Sequence, residues 1–298
     1  MGHADQHMFF GVDGGGSGCR VAVCDSNGNR IGEVSGGPAN VTSDRNQAIA
    51  NVREAIARCA QDCGISDAAL KSGIAHLGLA GAISKADEDA VAAAMPFSTV
   101  VVTDDCKTAL VGALSDGYGV LAAIGTGTIV AARDASGTRT FGGWGAQISD
   151  QASGAWLGQE AYRRCVLAHD GLIAHSDLTR QILSQHEDDL AMMVAFARKA
   201  TPQDYAKAAR AIVEFAVAGD TNARHLMREG AAYLNSCFDA AQLEKDSVMC
   251  LSGGVGPHYK DYLAAHYAAR VQKPLGTSLD GALTLAKQHL EALRSAQV

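Results

Sequence analysis

A glycine-rich turn lies between two apolar segments in the stretch Met8-Phe-Phe-Gly-Val-Asp-Gly-Gly-Gly-Ser-Gly-Cys-Arg-Val-Ala-Val-Cys24. The apolar segments predict two short strands, at residues 8–12 and 20–24. Glycines let a ligand approach the backbone, and consecutive N–H groups in such a turn suit phosphate oxygens. A phosphate site and a plain tight hairpin explain one such turn about equally well.

The same order of elements recurs later in the chain. The segment Val120-Leu-Ala-Ala-Ile124 leads through Gly125-Thr-Gly-Thr128 into a second apolar segment, and a third glycine turn, Ser252-Gly-Gly-Val-Gly256, follows another apolar segment. Two similar halves would face each other across a cleft with a phosphate-sized turn on each wall. Three turns at strand ends therefore favour nucleotide binding, and we place the domain boundary near Asp116.

Strands alternate with helices in the first half, which predicts an α/β protein with a mixed or parallel sheet. Strands are expected at 74–79 and 99–103, with helices from Ser43 as N-cap to Gly64 and at 86–94. Residues 153–242 are mostly helical by their apolar spacing. We expect domains at 1–116 and 117–298, with a final helix at 278–296 that closes the sheet or packs back on the first half.

Composition narrows the class of protein. The 25 Lys and Arg residues stand against 32 Asp and Glu, for a net charge of -7 without basic runs, which disfavours nucleic-acid binding. No apolar stretch approaches the roughly 18 residues of a membrane span. Eight scattered cysteines and the lack of a leader-like segment predict a soluble, cytoplasmic protein with reduced thiols and a small-molecule partner. A homodimer is expected because dimers are the commonest assembly.

Several carboxylates lie where strands end. Asp13 leaves a buried strand, so its charge needs a cation or donors, and a hydrated Mg²⁺ held through water is the natural partner. Asp104 and Asp105 follow the strand 99–103 and precede a helix. We expect one of them to cap that helix and the other to act as a general base.

An irregular stretch, Gly142-Gly-Trp-Gly145 followed by Ser149-Asp150, precedes the helix that begins near Ser153. A buried indole and a carboxylate there would hold a polar ring. By composition, a Trp144 that fills a core between the domains is as good an interpretation as a Trp144 that lines a ligand site.

In combination and order, the three turns resemble those of the superfamily of sugar kinases, heat-shock chaperones and actin. Within it the chain resembles the N-acetylglucosamine kinase and benzoyl-CoA reductase activator ATPase family. The resemblance implies two similar ribonuclease H-like, actin-like ATPase domains, each with a mixed sheet, that face each other across a nucleotide cleft. It also implies ATP and Mg²⁺ as cofactors. The residues that would bind the nucleotide are Gly14, Gly15, Gly16, Ser17, Gly125, Thr126, Gly127, Thr128, Gly253, Gly254 and Gly256.

The sugar-kinase branch is indicated by three further motifs: Gly36-Gly-Pro-Ala-Asn40, Val101-Val-Thr-Asp-Asp105 and the Gly-Trp-Gly stretch. The resemblance implies that Asp105 is the base, since it matches the aspartate of the family when counted back from Leu110-Val-Gly-Ala113. The substrate-binding set would be Asn40, Asp105, Gly143, Trp144, Gly145 and Asp150. The chain departs from the family pattern Gly-Asp-Glu-Gly-Ser, which appears here as Ser149-Asp-Gln-Ala-Ser153.

The function expected from this resemblance is ATP-dependent phosphorylation of an amino sugar, N-acetylglucosamine or glucosamine, at the 6-hydroxyl. An alternative is the other branch of the family, an ATPase that activates a partner CoA-ester dehydratase or reductase with an iron-sulfur cluster. No cysteine set resembling that cluster motif is present. A third hypothesis, motivated by Gln151, is an amino-sugar sensor without turnover.

Overall fold

The structure is a computed structural model and describes residues 7–295. These residues form two compact units. Unit 1 comprises residues 7–116 and 274–295, and unit 2 is Gly117–Lys273. The last helix therefore belongs to unit 1, although the sequence between its two parts forms unit 2.

Unit 1 is built on a five-stranded sheet in the order β3-β2-β1-β4-β5. Its strands are β1 (Phe9–Gly14), β2 (Cys19–Cys24), β3 (Arg30–Gly36), β4 (Ile74–Leu79) and β5 (Thr99–Thr103). The strands β1, β2 and β3 pair antiparallel, whereas β4 pairs parallel to both β1 and β5. All of β4 is buried, as expected of a parallel strand covered on both faces.

Unit 2 repeats this topology in the order β10-β9-β6-β7-β8. Its strands are β6 (Gly119–Ile124), β7 (Thr128–Asp134), β8 (Gly137–Gly142), β9 (Val248–Ser252) and β10 (Val271–Gln272). Again the first three strands are antiparallel and the other two are added in parallel. The prediction of two similar α/β domains, each with a mixed sheet, is confirmed.

Helices cover the sheets in both units. Those of unit 1 are α1 (Arg45–Asp62), α2 (Asp67–Ser72), α3 (Lys85–Ala94), α4 (Asp105–Leu114) and α12 (Ser278–Ser295). Those of unit 2 are α5 (Gly154–His169), α6 (Asp177–Ser184), α7 (Leu190–Ala197), α8 (Pro202–Ala206), α9 (Ala209–Ala218), α10 (Thr221–Ala241) and α11 (Ala265–Ala268). A 3₁₀ segment spans Gly256–Tyr262.

Local details agree with the sequence in most places. The strands β4 and β5 have the predicted bounds, and Ser153 caps α5 through the N–H of Trp156. The predicted N-cap of α1 is wrong by one residue, because the carboxylate of Asp44, rather than Ser43, accepts from the N–H of Gln47. The strands β8 and β10 were not predicted, since β8 is mostly exposed and β10 has only two residues.

The helices α4 and α12 cross at close range in unit 1. A Cβ atom at Gly281 would lie less than 3.0 Å from the Thr108 carbonyl oxygen, and one at Gly112 would lie as close to the Thr277 carbonyl oxygen. Helix α12 also packs against β1 and β4. These contacts seat the last helix beside the helix that begins at Asp105.

Candidate active site

The first glycine turn joins β1 to β2 and is hydrogen-bonded to the loop that follows β3. The Gly15 N–H donates to the Gly18 carbonyl at 2.9 Å, and the Ala39 N–H donates to the Gly15 carbonyl at the same distance. A Cβ at Gly14 would clash with Leu79 and Ala39, whereas one at Gly15 would meet nothing closer than 4.0 Å. Gly16 and Ser17 are exposed. The turn therefore has a packed side and an open side that a phosphate can approach.

Asp13, at the end of β1, has a cationic partner within the protein. The Asp13 carboxylate accepts from the Arg20 guanidinium at 2.5 Å, and the two residues lie directly opposite each other in the β1/β2 register. The sequence pattern by itself does not point to Arg20, although its position one strand across from Asp13 follows from a tight hairpin. The charge that was expected to require a metal is thus already compensated in part by Arg20.

The two consecutive aspartates have different environments. Asp104 is the N-cap of α4 and accepts from the Lys107 N–H at 2.9 Å. Asp105 begins the helix, and its carboxylate accepts from its own N–H and that of Cys106. Burial, followed by the negative charges of Asp104 and Asp13, raises the pKa of Asp105 to about 6. A carboxyl group with a pKa near neutrality is suited to accept a proton during turnover.

Asn40 lies in the loop that follows β3. Its side-chain oxygen accepts from the Ser43 N–H at 3.0 Å, and the neighbouring Val41 N–H donates to the Ala80 carbonyl at 2.8 Å. A Cβ at Gly81 would meet the Asn40 oxygen at 2.8 Å. The Asn40 side chain is therefore held in place by its oxygen, and it is half-buried. Its amide N–H groups are the atoms suited to bind a hydroxyl oxygen.

The second glycine turn, Gly125-Thr-Gly-Thr128, joins β6 to β7 and meets the start of α5. The N–H groups of Gly154 and Ala155 donate to the carbonyls of Gly125 and Thr126, at 2.8 and 3.1 Å. A Cβ at Gly125 would point into open space. This turn too has one supported side and one open side.

Thr128 carries an unpaired polar atom in this turn. The residue is 3% exposed, and among the described residues its Oγ1 is the buried side-chain atom without a hydrogen-bond partner. An unsatisfied buried hydroxyl costs free energy unless a ligand or water pairs with it. The orphaned hydroxyl fits a phosphate oxygen at this turn.

Asp150 connects the second turn to the Gly-Trp-Gly stretch. Its carboxylate accepts from the N–H groups of Thr128 and Gly145, and burial raises its pKa. Asp150 and Ala152 have φ angles of 64° and 71°, which L residues rarely adopt. The buried Tyr259 hydroxyl donates to the Ala152 carbonyl at 2.8 Å and supports this conformation. Ala152 stands where the family pattern has glycine, the residue that adopts such a φ most readily.

Trp144 is 73% exposed, so it does not fill a core. The expectation of a buried indole is therefore wrong, and so is the interpretation of Trp144 as a core residue. That Trp144 lines a ligand site stays a prediction. Gly143 and Gly145 both have positive φ angles, of 77° and 93°. The loop therefore presents the indole and its backbone to solvent.

The third glycine turn follows β9 and contacts the second turn. The Val255 N–H donates to the Ile124 carbonyl at 3.0 Å, and a Cβ at Gly253 would lie less than 3.0 Å from the same carbonyl. Gly253 has a φ of 80°, and a Cβ at Gly254 would point into open space. Gly256 is buried behind the turn. The two turns of unit 2 thus form one continuous backbone surface.

The predicted site residues fall into two groups. Unit 1 brings together the first turn, Asp13, Asn40 and Asp105, and unit 2 brings together the other two turns, the Gly-Trp-Gly stretch and Asp150. Unit 1 also contains a chain of hydrogen bonds that the sequence does not predict, from His289 through His76 to Thr103. Thr103 directly precedes the two aspartates, but nothing in the local pattern relates it to either histidine.

No helix within residues 7–295 has the length and apolar character needed to cross a bilayer. No cluster of three or more His, Cys, Asp or Glu side chains there has the arrangement of a metal site.

Comparison with known proteins identifies relatives over nearly the full length. The BadF/BadG/BcrA/BcrD ATPase family matches residues 10–278. The chain is 29% identical over 281 residues to the glucosamine kinase of Vibrio cholerae, covering 94% of this chain and 96% of that one. It is 25% identical over 261 residues to the N-acetylmuramic acid/N-acetylglucosamine kinase of Clostridium acetobutylicum, covering 83% and 84%.

A solved structure gives a similar result. The crystal structure of a candidate N-acetylglucosamine kinase from Chromobacterium violaceum matches with a TM-score of 0.87 at 31% sequence identity. The match covers 94% of this chain and 99% of that one.

Proposed function

Because the chain belongs to the BadF/BadG/BcrA/BcrD ATPase family, we propose that it transfers the γ-phosphoryl group of ATP to a hydroxyl of an amino sugar. The two curated relatives, which match over most of their length, are named as kinases of glucosamine or of N-acetylated amino sugars. The acceptor is N-acetylglucosamine or glucosamine, at its 6-hydroxyl. The observation that carries the proposal is the Asp105 carboxyl group, with a pKa of about 6 beside the first glycine turn.

Asp105 acts as the general base. Its carboxylate accepts the proton of the sugar hydroxyl as the hydroxyl oxygen forms a bond to the γ-phosphorus. The bond from that phosphorus to the bridging oxygen breaks, and ADP leaves with the electron pair. Asn40 donates its amide N–H to a sugar hydroxyl, and the backbone of Gly143 and Gly145, with Trp144 and Asp150, contributes the other contacts to the sugar.

The three turns hold the nucleotide, since phosphoryl transfer depends mainly on positioning and on neutralising charge. Gly14, Gly15, Gly16 and Ser17 of unit 1 and Gly125, Thr126, Gly127 and Thr128 of unit 2 bind phosphate oxygens through N–H and hydroxyl groups. Gly253, Gly254 and Gly256 bind the adenosine part. The open sides of Gly15, Gly125 and Gly254 support these roles, because a Cβ at Gly125 or Gly254 would meet no neighbour.

A Mg²⁺ ion fits the carboxylates of unit 1. Asp13 and Asp105 are close enough for the charge of Asp13 to raise the pKa of Asp105, and a divalent cation relieves such repulsion. Asp13 would hold the ion through water, while Arg20 competes for the same carboxylate. When bound, the ion supplies positive charge that neutralises the phosphate oxygens.

We further propose that the protein is a cytoplasmic homodimer. All eight cysteines are free thiols, which agrees with a reducing compartment. Seven of them are buried, and Cys63 is partly buried. Since an iron-sulfur cluster held between subunits needs accessible thiolates, this burial argues against the activator ATPase of the other family branch.

The function is tested by ADP release from MgATP with glucose, glucosamine, N-acetylglucosamine, N-acetylmannosamine or no sugar. We expect release that depends on one of the amino sugars and forms its phosphate ester in equal amount. Release without sugar would instead support an ATPase, and sugar binding without release would support a sensor.

Replacing Thr128 by Val separates ligand binding from stability. The hydroxyl has no hydrogen-bond partner within residues 7–295, so its loss should leave the melting temperature unchanged or higher. A hydrogen bond to a charged group contributes about 1.5–3 kcal/mol, so the KM for ATP should rise roughly 10-fold or more. Thr128→Ser keeps the hydroxyl and should retain the KM of the wild type. An unchanged KM in Thr128→Val would contradict the assignment.

A further inference from the structure

A continuous chain of hydrogen bonds connects α12 to the start of α4. His289 Nε2 lies 3.0 Å from His76 Nδ1, and His76 Nε2 lies 3.1 Å from Thr103 Oγ1. Thr103 Oγ1 in turn donates to the Asp104 carbonyl at 3.0 Å. The two histidines are separated by 213 residues in sequence, and their ring centroids lie 5.3 Å apart with the ring planes 14° from parallel. This hydrogen-bonded chain ends at the peptide group that joins Asp104 to Asp105.

Each hydrogen bond in this hydrogen-bonded chain has a defined donor and acceptor. Thr103 uses its single hydroxyl proton on the Asp104 carbonyl, so it accepts from His76, which must carry its proton on Nε2. His76 Nδ1 then has no proton and accepts from His289 Nε2–H. Each donor therefore has one acceptor, and both ring nitrogens of His76 are paired.

The surroundings keep His76 neutral. The residue is 0% exposed. Burial, the neighbouring His289 and the charge of Lys107 lower its pKa to about 3. Burial and Lys107 also lower the pKa of His289. The His76 tautomer is therefore constant throughout the pH range in which a kinase works.

The last link reaches the carboxylate of Asp105 through one peptide plane. The Asp104 carbonyl and the Asp105 N–H belong to the same rigid peptide group. Thr103 holds the carbonyl end, and the N–H end donates to the Asp105 carboxylate. Rotation of this plane would move the N–H donor and thereby reorient the carboxylate.

We propose that His76 and Thr103 are positioning residues for the reaction, which set the orientation of the Asp105 carboxylate from a hydrogen-bonded chain anchored on α12. This inference rests on the proposed function, in which Asp105 is the base. An unpaired polar group is costly inside a protein, and His76 of the buried strand β4 has both ring nitrogens paired, one with His289 of α12 and the other with Thr103. Neither histidine is among the residues that we assign to the nucleotide or the sugar.

Two matched pairs of variants test whether the hydrogen-bonded chain positions Asp105. Thr103→Val keeps the shape but removes the hydroxyl, and Thr103→Ser restores it. His76→Gln keeps a donor near the Nε2 position, whereas His76→Asn keeps polarity only near Nδ1. Because a misplacement of about 1 Å can cost 10²-fold in rate, we expect kcat to fall roughly 10- to 100-fold in Thr103→Val and His76→Asn. In Thr103→Ser and His76→Gln, kcat should stay within about threefold of the wild-type value. The KM for ATP should stay within about twofold of the wild-type value in all four variants.

The pKa of Asp105 can be measured without any turnover, so this measurement tests the inference independently of the proposed function. Loss of the oriented N–H donor raises the pKa of a carboxyl group. Carbon-13 NMR of the folded protein should therefore find the Asp105 pKa raised by about half a unit or more in Thr103→Val and unchanged in Thr103→Ser. Long-range nitrogen-15 spectra should find His76 protonated on Nε2 alone from pH 5 to 8.

Val91→Ala is the control for lost stability. Val91 is fully buried in α3 and belongs neither to the hydrogen-bonded chain nor to the candidate active site. Its truncation should therefore lower the melting temperature with kcat unchanged. The inference is overturned if Thr103→Val retains both kcat and the Asp105 pKa. If the wild type transfers no phosphate but the NMR shifts appear as expected, the proposed function fails and the positioning of Asp105 stands.

Discussion

Asp105→Asn will lower kcat by roughly 10²- to 10⁴-fold, the usual loss when a general base is removed. The amide keeps the size of the carboxyl group but cannot accept the hydroxyl proton. Since we assign the nucleotide to the three glycine turns and not to Asp105, binding of ATP should change little. Turnover at saturating sugar and the ATP dissociation constant, measured separately, check both halves of this expectation.

Asp104→Asn is the matched control for this variant. Asn caps a helix about as well as Asp, so α4 and the overall stability should be preserved. Turnover should persist near the wild-type rate at pH 8. The negative charge of Asp104 also raises the pKa of Asp105, so its removal should shift the acid side of the pH profile to lower pH. Abolished turnover in Asp104→Asn with turnover retained in Asp105→Asn would reverse the assignment of the base.

The pH dependence has a defined sign. Asp105 must be ionised to act, so kcat/KM should fall as pH drops below about 6. Its folded pKa lies above the ordinary value of 3.8, so the native state binds more protons than the unfolded state between these values, and stability decreases as pH rises through that window. Asp105→Asn should therefore raise the free energy of unfolding above pH 6, by about 1 to 3 kcal/mol.

Gly281→Ala should cause the largest loss of stability among the substitutions considered. The new Cβ would lie less than 3.0 Å from the Thr108 carbonyl and from the Gly112 N–H, which are backbone atoms of α4 that cannot rotate away. Overpacking costs about 1–3 kcal/mol or more, against which the better helix propensity of Ala returns about 1 kcal/mol. We expect a net loss of up to about 2 kcal/mol, measured by denaturant unfolding, with a lower kcat because α4 carries Asp105.

Glu291→Ala on the exposed side of the same helix provides the comparison. It introduces the same residue without a backbone contact, and surface changes of this kind stay within about 0.5 kcal/mol. Equal stabilities for the two variants would mean that α12 does not need its close approach to α4.

The sequence predicted the elements well where local pattern determines them. The bounds of β4 and β5 follow from continuous apolar runs, and the repeated strand, glycine turn and strand is reproduced in both sheets. Prediction failed where two neighbouring residues compete for one role, as with Ser43 and Asp44 at the N-terminus of α1. It could not choose between a buried and an exposed Trp144, since an aromatic residue in an irregular loop has no period that indicates its environment.

The sequence by itself determined the fold class, the three glycine turns and the pair of aspartates after β5, because these depend on residues close together in the chain. Only the tertiary structure decided which aspartate caps α4 and which has a raised pKa, that Arg20 pairs with Asp13, and that His289 reaches His76. The physical reason is that burial and electrostatic interaction depend on distances in space. Packing across the sheet, and the return of α12 to unit 1, set those distances.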